Sequence, residues 1–353
     1  MKQNMQDLTE GSLGKKILIF SVPLMLSNLL QVLFNMADIA VIGQFAGSLS
    51  LGAVGSTATL VTMFTGFLIG LSGGINVLTA LYYGAKDKDS LSKTIHSAAL
   101  VSLIMGVLLL VLGVGLSEWM LTALKTKEEL LDKAVLYLRI YYLGMPALAI
   151  YNFGNAVYSA VGNTKKPLYY LGFSGVLNII LNLFFVIVCR MDVAGVALAS
   201  IISQYVSAVL ILQALLRSKD IYALHPGKLR MDRELTGDIL KLGMPSGLQN
   251  VIFQFANSFV QMGVNSFDAI MVAGNSAASN ADALVYDVMA AFYTACGSFM
   301  GQNYGAGKKK RVRNSYLISL AYSFGIGLLL GVSLVVFGRT FLSLFTRDAA
   351  VMD

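Results

Sequence analysis

Few residues in this chain could do chemistry, and most of them lie inside apolar stretches. Asp38 stands 15 residues after Pro23 in the first stretch, about 22 Å along a helix at ~1.5 Å per residue. No Lys or Arg occurs between Lys16 and Lys86, so Asp38 has no cationic partner nearby in sequence. An ionisable side chain deep in an apolar segment is expensive and marks a functional position by default. Such a carboxylate can take up and release a proton or a Na+ ion, and Asp38 is the first candidate for that role; the alternative is a solvated helix end. Asn178 and Asn182, spaced i, i+4, share one helix face. Their carbonyl oxygens are hard ligands suited to Na+ or to partnering Asp38; otherwise they tie helices together. Ser200 either completes this ion-coupling group or bonds its own helix backbone.

The elements that must position these residues are set by composition. Hydrophobic residues make up 56% of the chain and charged residues 13%, with a mean hydropathy of +0.70. A soluble chain carries roughly a quarter charged residues, so these charges are too few to cover a water-facing surface. Apolar runs long enough for a ~30 Å hydrocarbon layer fall near 17–43, 51–81, 95–117, 134–160, 167–189, 193–216, 239–265, 271–300 and 315–346. The fold class is therefore an all-α polytopic membrane protein of nine spans. With the N-terminus inside, inside segments hold 19 Lys and Arg and outside segments, counting Arg339 and Arg347, hold 7. That asymmetry places the N-terminus in the cytoplasm. The net charge of +7 is explained by the same basic loops, so no nucleic-acid partner is expected. Residues 1–16 are polar and the apolar run after them lacks a small-residue cleavage site, so no cleaved signal is expected there. Cys189 and Cys296 have no metal spacing and are expected to be buried, inert thiols.

The second half restates the first. ILIFSVP at 17–23 corresponds to ILKLGMP at 239–245 and Asn35 to Asn257, at an offset of 222; Tyr83-Gly84-Ala85 corresponds to Tyr304-Gly305-Ala306 at an offset of 221. Residues 1–220 form one six-helix lobe and 221–353 a second with three helices, a 6+3 version of a 6+6 two-lobe bundle. By the offset, Phe345 corresponds to Leu124, just before the fourth span, so the chain is expected to be truncated before a tenth helix. Parallel repeats of this kind characterise secondary transporters, in which two bundles rock about a central cavity. No nucleotide-binding loop, catalytic triad or metal grouping is present, so neither an enzyme nor an ATP-driven pump is expected.

Further candidates follow from position. Pro23, Pro146 and Pro245 lie in spans and each removes a backbone hydrogen bond, which favours a helix kink. Asn275, Asn280, Asp282 and Asp287 crowd the start of the eighth span; Asp287, the deeper carboxylate, is a cavity candidate, as are Gln254 and Asn257 in the seventh. His96 is expected at the membrane interface. The Met and aromatic richness suits a promiscuous apolar cavity or lipid-facing packing.

Pro23 followed by Gln31, Asn35, Asp38 and Ile42-Gly43, the turn Gly84-Ala85-Lys86, the asparagines of 178–182, residues 195–200, and above all GQNYGA at 301–306 before Lys308 to Arg311 resemble the multidrug and toxic compound extrusion (MATE) family, over nearly the whole chain. The resemblance implies a bacterial cell-membrane antiporter that exports small organic, often cationic, drug-like compounds against inward Na+ or H+ flow, with no cofactor beyond that ion. The protein is expected to be monomeric, with membrane lipid around it. The resemblance further implies that Asp38 binds the coupling ion together with Asn178. It also places Gln31 and Asn35 in the substrate cavity. Asn182 stands where many prokaryotic members have aspartate, leaving one carboxylate fewer, and Ser200 stands where some have threonine. Gln254 is near an acidic position of some members that is absent here. A lipid or lipid-linked oligosaccharide flippase of the same superfamily is the alternative; it would line its cavity with Arg or Lys for pyrophosphate, and the first six spans offer almost none away from their ends.

Overall fold

A computed structural model describes residues 7–338 apart from 265 and 268. Outside the described residues lie Lys2, Arg339, Arg347, Phe345 and the end of the ninth expected span; the side chain of Asn280 is likewise outside them. Ten α-helices follow in order: α1 Leu13–Phe45, α2 Ser48–Gly84, α3 Lys88–Ala123, α4 Glu128–Tyr142, α5 Met145–Ala160, α6 Lys165–Leu183, α7 Asp192–Leu216, α8 Arg233–Val264, α9 Ala269–Gly305 and α10 Lys309–Val336. No strand occurs among the described residues. In hydrocarbon every backbone polar group needs an internal partner, which a helix supplies. Hydroxyls within the helices do the same, as Ser21 donates to the Ile17 carbonyl and Thr57 to that of Val54.

Seven helices among the described residues are long and apolar enough to cross a membrane, or eight if the bent pair α4–α5 counts as one span. The fourth expected span is that pair, bent by 46° at a break over Leu143 and Gly144, with Pro146 near the start of α5. By contrast α1 and α8 run unbroken through Pro23 and Pro245. The seventh expected span does form a 32-residue helix, α8. With Gln249, Asn250, Gln254 and Asn257 along it, however, α8 is not among the helices apolar enough to cross a membrane, unlike the other expected spans.

Helices α1–α7 enclose two clusters of buried side chains, one around Phe64, Tyr142 and Val196, the other around Ile95, Tyr158 and Tyr222. A third, Leu8, Ile17 and Phe20 with Phe292, Ala295 and Phe299, joins α1 to α9. Helix α2 is the seam between α1–α7 and α8–α10. A Cβ on Gly70 would lie 2.5 Å from the Gly247 nitrogen, and one on Gly74 would lie 2.6 Å from that of Gly243. Only small residues allow such backbone approach. Further along, Gly84 and Gly305 meet each other's helices in the same way. In the turn Gly84-Ala85-Lys86 the left-handed residue is Lys86 (φ 57°), and Gly84 is where α2 crosses α9.

His96, near the start of α3, is buried against the 217–232 connection. Its Nδ1 lies 2.6 Å from the Ser92 carbonyl oxygen, and its Nε2 accepts from the His225 backbone N–H at 3.0 Å. With Ser97, which accepts from the Asp232 N–H, it pins the 217–232 connection to α3. Cys189 is exposed and Cys296 half-buried, so neither is the fully buried thiol expected; both lie at element surfaces, Cys189 just past the last turn of the α6 region.

Candidate functional site

The four ion-coupling candidates converge where α1, α6 and α7 meet. Asn182 Nδ2 donates to Asp38 Oδ1, and Ser200 Oγ donates to Asp38 Oδ2 at 3.2 Å. Asn182 Nδ2 is also 3.2 Å from Asn178 Oδ1, and Asn178 Nδ2 donates to Ser200 Oγ at 3.4 Å, which closes a ring of four side chains. Ser200 thus turns its hydroxyl to the carboxylate and not to its own backbone. Asp38 is no helix end, since α1 continues to Phe45. Asn178, Asn182 and Ser200 are buried, and no ion pair reaches Asp38 among the described residues.

Helical spacing builds the ring: positions 178 and 182 lie one turn apart on α6, and Gly195 lets the start of α7 pack against Phe185, whose Cβ is 3.0 Å from where a Gly195 Cβ would be. Directly after Asn182, residues Phe184–Val188 form a π-helical turn, a local widening that recurs at functional sites. Asn182 Oδ1 is buried without a hydrogen-bond partner. An unpartnered hard oxygen on the side chain that bonds the carboxylate suits a small hard cation. Equally, Asp38 ringed by donors can exchange a proton, since a protonated carboxyl turns one acceptor into a donor.

Sequence reasoning missed several neighbours. Tyr137 and Tyr141 of α4 stack at 5.8 Å, and both lie within electrostatic reach of Asp38. Gln204, one turn after Ser200, contacts Tyr141; the i, i+4 spacing from Ser200 was its signal. The cavity candidates do not gather into one cluster. Gln31, Asn35 and Asn257 are exposed, Gln254 is partly exposed, and none of the four side chains is hydrogen-bonded among the described residues. Asp287 is half-buried on α9, where its backbone carbonyl accepts from Asn28 of α1 at 2.7 Å. Asp282 is exposed.

GQNYGA also has a structural reason. Gln302 and Asn303 are buried; Gln302 Nε2 donates to the Ala160 carbonyl at 2.6 Å, and Gln302 Oε1 accepts from Leu8 N–H at 3.3 Å. Asn303 Nδ2 donates to the Leu8 carbonyl at 3.2 Å, Lys308 to that of Thr9 at 2.9 Å, and Arg311 to those of Gly11 and Glu10 at 3.0 and 3.2 Å. Leu8 is wholly buried. Cations at the start of α10 oppose the helix dipole; here the carbonyls of the strap 7–11 receive two of them.

The helices define a polytopic membrane bundle with a ringed carboxylate between α1, α6 and α7, and comparison with known proteins gives its family. The MatE family model matches residues 23–184 and 245–353, more than half of the chain, in two stretches that begin at Pro23 and Pro245. The chain is 32% identical over 343 residues to the probable multidrug resistance protein YpnP of Bacillus subtilis, covering 97% of this chain and 76% of that protein. It is 23% identical to a FAD transporter of Shewanella oneidensis, covering 98% and 77%. The fold superposes on a multidrug resistance MATE transporter in its outward-facing conformation with a TM-score of 0.91 at 24% identity, covering 100% of this chain and 79% of that one. The protein therefore belongs to the MATE family of multi-pass membrane transporters.

Proposed function

We propose that the protein exports small organic, drug-like and often cationic compounds by antiport with Na+ or H+, through alternating access of lobes 1–220 and 221–353. The observation that carries this reading is the ring of Asp38, Asn182, Asn178 and Ser200. Na+ is held by the Asp38 carboxylate and the open Asn182 Oδ1, or a proton is taken by Asp38. Either event rewrites the hydrogen bonds between α1 and the pair α6–α7: a proton turns one carboxylate oxygen into a donor, and a cation competes with Asn182 and Ser200 for the lone pairs. Movement of α1 then passes to α9 through the shared Phe20–Phe299 contact, whose rings lie 5.5 Å apart. Gln31, Asn35, Gln254, Asn257 and Asp287 are assigned to the substrate path, Asp287 as the second-lobe carboxylate for a cationic group. The basic loops put the N-terminus and the α2–α9 crossing on the cytoplasmic side of the cell membrane.

The test is dye or fluoroquinolone efflux from vesicles under imposed Na+ or pH gradients, comparing wild type with Asp38→Asn. Gradient-driven export in wild type that is abolished in Asp38→Asn is the expected result. Export that ignores both gradients overturns antiport, and export unchanged in Asp38→Asn overturns the coupling assignment. Flavin dinucleotide belongs in the substrate panel, given the FAD-transporting relative.

A further inference from the structure

Asp38 is held to α6 by hydrogen bonds, but one turn away the same two helices make a second contact of a different kind. Gly175 is buried on α6, and a Cβ built on it would lie 1.9 Å from both Cε2 and Cζ of Phe34 and 2.5 Å from Cδ2. The edge of the Phe34 ring therefore occupies the place where any other residue would put its side chain. Phe34 and Asp38 are spaced i, i+4 on α1, while Gly175, Asn178 and Asn182 follow i, i+3, i+7 on α6, so both contacts lie on facing stripes of the same helix pair. A ring seated in a notch resists sliding and rotation; a hydrogen bond alone tolerates both.

We propose that Phe34 and Gly175 are a positioning pair for the ion site, which fixes the register of α1 on α6 so that the Asp38 carboxylate meets Asn182 and Ser200. The assignment rests on the coupling role of Asp38. Phe34 itself does not touch the ion; it acts through Asp38. Its ring is only half-buried, and the adjoining Gln31 and Asn35 are exposed. A compound lying against that part of α1 reaches the ring that sets the ion site, so one side chain is sensitive to both.

The test is labelling of Asp38 by a hydrophobic carbodiimide, followed by peptide mass spectrometry on the purified protein in liposomes, titrated with Na+ and with pH. In wild type, Asp38 is labelled and the labelling responds to one of the two ions. Gly175→Ala forces the ring out, and the ion concentration for half-response is expected to move at least about threefold, a coupling size usual for residues in contact. Phe34→Leu shortens the ring away and folds without a clash, so it reports independently if Gly175→Ala is unstable; a similar displacement is expected. In Phe34→Leu/Gly175→Ala the new methyl group has room, and the response should return to within about twofold of wild type, as expected for a pair that acts as a unit. Rescue of this sort does not follow from general damage to packing. A wild-type ion response in both single variants, or a double variant no better than Gly175→Ala, overturns the pair. Absence of label on wild-type Asp38 at every pH overturns the coupling role itself, a distinct result.

Discussion

Gly84 and Gly305 make the same contact in opposite directions. A Cβ on Gly84 would lie 2.0 Å from the carbonyl oxygen of Gln302, and one on Gly305 would lie 1.9 Å from that of Leu81. At the offset of 221, Gly84 corresponds to Gly305 and Leu81 to Gln302, so α2 and α9, each 37 residues long, cross about a local two-fold axis. Alanine is the better helix former by about 1 kcal/mol, but overpacking costs about 1–3 kcal/mol, and here the methyl meets backbone that cannot rotate away. Gly84→Ala and Gly305→Ala should lower the thermal unfolding temperature in detergent by similar amounts. Gly115→Ala on α3, with nothing within 4 Å of its Cβ position, should leave it unchanged or slightly raised.

The members of the Asp38 ring should differ in weight. Removing a hydrogen bond to a charged group costs about 1.5–3 kcal/mol, a neutral one about 1. Asn182→Ala takes a donor from the carboxylate and should raise the half-saturating ion concentration on the order of 10- to 100-fold. Ser200→Ala, whose bond to Asp38 is longer, should raise it less, and Asn178→Ala, which touches Ser200 and Asn182 but not Asp38, least. Ion titration of substrate efflux gives the order. An Asn178→Ala effect larger than that of Asn182→Ala would refute this ranking.

The helices and the ring were legible for the same reason: polar groups are costly in an apolar segment, so Asp38, Asn178, Asn182 and Ser200 stand out, and the structure shows them bonded to one another. The two-copy offset was legible from ILIFSVP and ILKLGMP, from Asn35 and Asn257, and from the Gly-Ala pairs. What escaped is what apolar context hides. Gly175 and Phe34 look like any lipid-phase residues, and only three dimensions show the ring in the notch. Tyr137 and Tyr141 were lost among 16 tyrosines. The cavity candidates were chosen one at a time for polarity, and polarity says nothing about whether separate helices bring them together. The use of His96 was hidden because its partner, the His225 backbone N–H, is distant in sequence.

Orientation is open to a direct check. Single cysteines placed at Thr126, between α3 and α4, and at Gly307, between α9 and α10, lie at loops on opposite sides if the basic-loop asymmetry sets topology. In a cysteine-free background, a membrane-impermeant maleimide added to whole cells should label position 126 and spare 307 until the cells are opened. The reverse pattern would invert the transporter.

The strap 7–11 should loosen in acid, and the sign follows from Asp7. Partial burial pushes the Asp7 carboxyl upward, but the Thr9 hydroxyl and N–H, with Lys16 and Lys308, outweigh it and hold the group below its usual value. A group lowered in the folded state adds stability that is fully present above its unfolded pKa, about 3.9, and that is lost as pH falls through the lowered value. The protection of residues 8–11 against hydrogen exchange, taken relative to the intrinsic rate at each pH, should therefore be high at pH 5 and fall as the pH drops below about 4. Asp7→Asn, uncharged at every pH, should flatten that dependence by holding the strap at its acid-level protection at both pH values, with Leu8 still seated. Leu8→Ala empties a wholly buried site next to Phe299 and Phe20, and such truncations cost about 2–5 kcal/mol, so its strap should exchange fast at both pH values. Arg311→Ala removes three bonds to strap carbonyls, on Leu8, Glu10 and Gly11, and should fall between the two. If Arg311→Ala protects residues 8–11 as well as wild type does, the cations of 308–311 do not hold the strap, and Leu8 alone anchors it.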